Sequence, residues 1–137
     1  MLISIKALDK GHVMTKLTTS SKLSLLWLLT ALNMILADVL SLYIAVLDPS
    51  VLEIPGDAKL FMIVAAVLVN IPIFMVFLSK VLPRKSNRIV NIIASIVTII
   101  FIIGGGSLLP HYIVIGAIEV VLLVAIIAIA WRYRSDV

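Results

Sequence analysis

Four apolar runs of membrane-spanning length, the proline- and glycine-rich breaks between them, and a one-sided distribution of Lys and Arg predict the fold class. It is an all-α transmembrane four-helix bundle, up-down-up-down, with both termini cytoplasmic. The 137-residue chain is 63% hydrophobic and 13% charged, against roughly 45–50% and about 25% in soluble domains. A water-soluble fold of this size could not hide so much apolar surface, because small domains leave a large share of their surface exposed. Lipid as the solvent removes the difficulty.

A spanning helix needs about 20 predominantly apolar residues. The chain offers four such runs, at about 23–47, 60–80, 88–108 and 111–131. Transmembrane β-strands are shorter and alternate polar with apolar positions, so these runs are helices. Residues 1–22 precede them as a polar cytoplasmic arm, and residues 23–134 form the transmembrane domain. A signal peptide would have a shorter apolar core and a small-residue cleavage site, so the first span is expected to be retained. Met1 and Met14 are alternative starts.

The breaks fit a compact bundle. Asp48-Pro49-Ser50 and Ile54-Pro55-Gly56-Asp57 interrupt the chain after the first span, and Pro83-Arg84-Lys85-Ser86-Asn87 after the second. Gly104-Gly105-Gly106-Ser107 with Pro110 follow the third. Such clusters end helices, and short connections favour antiparallel neighbours. Lys6, Lys10, Lys16, Lys22, Lys80, Arg84, Lys85, Arg88, Arg132 and Arg134 all fall on one side of the bilayer, with only Lys59 opposite. The other side carries Asp48, Glu53 and Asp57. The positive-inside rule then puts the N-terminus, the middle loop and the C-terminus in the cytoplasm. Trp27, Trp131 and Tyr133 are read as markers of the inner interface, and Tyr43, Phe61 and Tyr112 of the outer one.

Ionisable groups inside hydrocarbon are costly, so each carries a functional hypothesis by default. There are two, Asp38 in the first span and Glu119 in the fourth. Counted at about 1.5 Å per residue, both sit roughly 12–14 Å below the outer interface. Two carboxyls at one depth, on the first and last helices of a ring, are expected to face each other. They cannot both ionise cheaply, so a shared proton is the sharpest chemical expectation. Thr30, Asn33, Ala37, Asp38 and Ser41 fall on one arc of the first helix, which makes Asn33 and Ser41 further candidates. Asn70 precedes Pro72 in the second span, where a backbone hydrogen bond is lost and a kink is expected. Asn87, Asn91, Ser95 and Thr98 recur at helical spacing in the third. These amides and hydroxyls read in two ways: as a polar track or pocket, or as hydrogen bonds between packed membrane helices.

Several classes are disfavoured. The chain has no Cys, which removes disulfides, thiolate metal sites and thiol redox chemistry. His111 reads as an interfacial residue, and neither it nor His12 belongs to a metal-ligand pattern. No cofactor, metal centre or catalytic set is expected. The triple glycine lacks the lysine and the strand-to-helix setting of a phosphate loop. The net charge of +4 is dispersed along the span ends, so nucleic acid is not an expected partner.

The segment from Leu25 to Ser41, with Trp27, Asn33-Met34 and Ala37-Asp38-Val39-Leu40-Ser41, resembles an uncharacterised prokaryotic family of small four-span membrane proteins. That family looks broadly like the DoxX-type membrane proteins in size and layout. The resemblance implies the fold and a prokaryotic inner membrane, and no established activity. Small multidrug transporters also have four spans, but they carry their essential glutamate in the first, where this chain has Asp38 near the outer end.

Three functions are therefore carried forward. The first is a non-enzymatic accessory subunit or lipophilic-ligand-binding protein. The second is a small proton-coupled transporter acting as a dimer, and the third a membrane enzyme acting on a lipid or quinone. The bilayer is a partner in all three, with a larger membrane protein or a second copy as the protein partner. Topology is directly testable, because the chain lacks Cys. A single Cys at Ser50 or Ser107 should react with an impermeant reagent from outside, and one at Ser86 or Ser135 only after permeabilisation. External labelling at Ser86 would reverse the orientation.

Overall fold

The computed structural model describes residues 17–51 and 56–133. Most of the N-terminal arm, Glu53, Pro55 and Arg134 lie outside the described residues. Four helices follow one another: α1 (Thr19–Leu47), α2 (Ala58–Val81), α3 (Arg84–Gly104) and α4 (Pro110–Arg132). A 3-10 turn, Pro49–Val51, follows α1, and no strand occurs among the described residues. All four helices are long and apolar enough to cross a membrane, the arrangement of a multi-pass membrane protein. The 21 residues of α3 rise about 31 Å, close to the roughly 30 Å hydrocarbon core.

Local chemistry sets the ends. Thr18 caps α1 by accepting from the Ser21 N–H at 3.2 Å, so the helix starts before the predicted span does. Asp57 caps α2 through Lys59 N–H at 2.9 Å. The third helix occupies residues 84–104, shifted back from the 88–108 expected. Pro83 starts it early, its carbonyl accepting from the Asn87 N–H at 2.8 Å. Gly105 and Gly106 then stop it. After α1, Asp48 Oδ1 accepts from Ser50 N–H and Oγ, and these bonds hold its carboxyl below the ordinary aspartate range.

The helices form a ring. α1 packs on α2 and α4, and α3 packs on α4 and, over a thinner seam, on α2. One end of the ring gathers the start of α1, the α2–α3 turn and the end of α4, with Lys22, Lys80, Arg84, Lys85, Arg88 and Arg132; it is called the basic end below. The opposite, acidic end holds Asp48 and Asp57. Leu23, Trp27, Met34, Met75, Ile102, Leu123, Ile126 and Ala130 form the core, while Leu28, Leu32 and Ile35 are among the many apolar side chains that face outward.

The basic half is locked by a buried polar network. Trp27 of α1 donates its indole N–H to Asn91 Oδ1 of α3 at 2.6 Å, and both residues are fully buried. Ser79 Oγ of α2 donates to the same oxygen at 3.1 Å. Asn91 Nδ2 donates to Asn87 Oδ1 and to its backbone oxygen, and Asn87 Nδ2 donates to Ser79 O at 2.7 Å. Ser20 and Ser24 add bonds from α1 to Ser79 O and Val76 O of α2. Trp27 is thus a core residue, not the interfacial marker expected of an aromatic near a span end. Its eight-residue distance from the start of α1 nearly equals the seven of Asn91 from the start of α3, which puts the two at one depth.

The acidic half is looser. α2 buries only Pro72, Met75 and Ser79, so no residue before Pro72 is buried against the bundle. The two halves should therefore respond differently to loss of an amide. Asn91→Leu is expected to lower the unfolding free energy by about 2–3 kcal/mol, since it leaves the Trp27 N–H and Asn87 Oδ1 buried without partners. Asn33→Leu should change it by less than about 0.5 kcal/mol, because Asn33 makes no hydrogen bond among the described residues. Reversible unfolding in mixed micelles measures both.

Candidate functional site

Asp38, Ser95 and Glu119 each lie nine residues from the acidic-end terminus of their helix: Leu47, Gly104 and Pro110. The helices differ in length, so these are not one level: from the Trp27–Asn91 pair, Asp38 lies eleven residues toward the acidic end and Ser95 only four. Two of the three, Ser95 and Glu119, are buried with a polar atom that has no partner. Glu119 is 4% exposed, and its Oε1 has no hydrogen-bond partner. The buried Ser95 Oγ has none either.

Glu119 belongs to the inward stripe Ile115, Glu119, Leu123, Ile126 and Ala130, whose spacing of three and four residues is that of one helix face. A carboxyl there is placed in the interior by its apolar neighbours. Asp38 lies on the face of α1 that carries Ser20 and Ser24, the residues bonded to α2 at the basic end. At its own level α2 no longer closes on the bundle, and Asp38 is exposed. The two carboxyls are not hydrogen-bonded to each other. The shared hydrogen bond that the proton expectation requires is therefore not formed.

Ser41 is half-buried and pairs across the α1–α4 seam with His111 Nε2 at 3.1 Å. This bridge lies one turn toward the acidic end from Asp38 and fixes the two helices that carry the carboxyls. Tyr112 is held by the loop before it. A Cβ at Gly106 would stand 2.8 Å from Ile102 O and 3.3 Å from Tyr112 Cε1, so only glycine lets the ring lie this close. Beside Tyr112, an apolar groove of about 460 Å³ runs along α3 and α4, lined by Ile102, Ile113, Gly116 and Val120 among others. Gly116 and Val120 are within one helical turn of Glu119.

The remaining candidates lie apart. Asn70 is exposed and turns back on its own helix, donating Nδ2 to Ala66 O at 2.8 Å. Asn33 is half-buried, while its neighbour Met34 takes the inward position. Thr30 is fully buried and satisfied by Leu26 O at 2.9 Å. Sequence reasoning gave Tyr112 to the interface and left Ser95 open between a polar track and hydrogen bonding of packed helices. Tyr112 stands seven residues from Glu119, two helical turns along the same face, and that spacing was the available signal.

Among the described residues no group of three or more His, Cys, Asp or Glu could hold a metal ion. A family model described as "Family of unknown function (DUF6326)" matches residues 15–137. The chain belongs to this family. No curated protein and no solved structure matches it. The family description assigns no activity, so the chemistry of the intramembrane carboxyls is the basis for any functional reading.

Proposed function

We propose that the protein binds, without converting it, a lipophilic ligand that carries a cationic group. The cation is held at Asp38 and Glu119, and the apolar part lies in the groove between α3 and α4. The observation that carries this reading is the 4% exposed carboxyl of Glu119, whose Oε1 has no partner. An acidic residue buried without a partner costs stability. A cation offsets that cost on binding. The groove volume of about 460 Å³ lies within the range of small-ligand sites, roughly 300–1,000 Å³.

The ligand enters from the acidic half, since the basic half is filled by the Trp27–Asn91–Ser79 network. Placing the basic end in the cytoplasm makes this an outward-facing site of a multi-pass protein. A prokaryotic inner membrane, a DoxX-like layout, and an accessory role beside a larger membrane protein belong to the same proposal. The second reading is a proton-coupled transporter working as a dimer. It is favoured by the polar face Asn87, Asn91, Ser95 and Thr98, which leads along α3 from the basic end toward the acidic half. That route would require the basic-end network to open.

Tetraphenylphosphonium is a suitable probe, being both apolar and cationic. Wild-type protein in nanodiscs should bind it, and Glu119→Gln and Asp38→Asn should each weaken binding by about tenfold or more. A charge-assisted contact is worth about 1.5–3 kcal/mol, which corresponds to that loss. Unchanged affinity in both variants would defeat the proposal. In proteoliposomes, uptake of the probe driven by an imposed proton gradient would favour the transporter instead.

A further inference from the structure

A second groove lies between α2 and α3 in the basic half, away from the carboxyl site. It has a volume of about 320 Å³ and is lined by Ile71, Phe74, Met75 and Leu78 of α2 and by Val90, Ile93, Ala94 and Val97 of α3. Every lining side chain is apolar. The spacing of three and four residues on both helices makes the groove run lengthwise, from Leu78 and Val90 near the basic end to Ile71 and Val97 near mid-membrane. Seven residues of helix correspond to roughly 10 Å of length. The small side chain of Ala94 and the thin α2–α3 seam leave the space open.

The groove ends under the two-residue turn Leu82-Pro83, and that turn is flanked by Lys80, Arg84, Lys85 and Arg88. No Asp or Glu accompanies them at this end among the described residues. Three of the four cations are engaged. Arg88 stacks on Trp131 at 4.9 Å, Arg84 on Tyr133 at 5.5 Å, and Lys80 donates to Ser21 Oγ. Lys85 is exposed and has no such partner among the described residues.

We propose that this groove and turn bind one anionic phospholipid, with an acyl chain along the groove and its phosphate at the basic turn beside Lys85. The occupant follows from charge complementarity and shape together. An apolar channel that runs along the helix axis and ends in a cluster of cations matches a single-chain segment capped by an anion. Basic residues at a membrane surface attract anionic lipid by about 1 kcal/mol each, which is about fivefold in affinity. The first turn of α3 has no side-chain cap, so its N–H groups add donors at the same place. The site is independent of the carboxyls at the other end.

Native mass spectrometry of the full chain, released from nanodiscs of mixed phosphatidylglycerol and phosphatidylcholine, tests the proposal. One phosphatidylglycerol should be retained per protein in preference to phosphatidylcholine. Lys85→Gln should reduce its retention by about fivefold, and Lys59→Gln, at the acidic end, should leave it unchanged. Val97→Trp, which fills the groove from its partly exposed wall, should reduce retention of both lipids. Circular dichroism confirms that each variant is folded, and Lys85→Gln carries the test if Val97→Trp does not fold. Equal retention of the two lipids, or unchanged retention in Lys85→Gln, would overturn the site. So would a lipid-free dimer, which would mean that a second copy covers the groove.

Discussion

Inside hydrocarbon a polar group has no water to turn to, and every bond it makes must come from the protein. This constraint divides the bundle in two. In the basic half the Trp27 indole, the Asn87 and Asn91 amides and the Ser79 hydroxyl satisfy one another across three helices. Packing in a membrane gains little from apolar contact alone, because lipid tails are as apolar as leucine. A shared amide such as Asn91, with bonds to α1, α2 and its own helix, therefore specifies which helices are neighbours and at what height.

The acidic half breaks the same constraint. Glu119 is turned inward by its place in an otherwise apolar stripe, yet its Oε1 meets no donor. α2 commits to the bundle only from Pro72 onward, so the interior near Asp38 is not sealed as the basic half is. A locked half gives rigidity, and a loose half gives access. The Ser41–His111 bridge keeps the two carboxyl-bearing helices in register where α2 does not. Unsatisfied polar groups on a rigid base are what the proposed binding site rests on.

Much of the fold was legible because hydropathy alone dictates spans and Pro83, Gly105 and Gly106 dictate where they stop. Counting residues from span ends was a weaker guide to depth, since α1 and α4 differ in length and the Ser41–His111 bridge lies three residues from Asp38 but eight from Glu119. The azimuth of a side chain was harder to read. Asn33 and Asn70 are as polar as Asn91, but which face a membrane helix buries depends on its neighbours, and α2 buries no residue before Pro72. Trp27 was misplaced for a related reason. An aromatic near a span end usually sits at the interface, and only the presence of Asn91 at matching depth turns it inward.

The central claim is that the polar groups of the two halves have opposite energetic roles, structural at Asn91 and costly at Glu119. The unfolding free energy of Glu119→Met, which keeps the length of the side chain and removes the buried carboxyl, tests it most directly. The account predicts a rise of about 1 kcal/mol or more over wild type, the relief of a buried group left without a partner. A fall of comparable size would contradict it, because Glu119 would then be holding the bundle together.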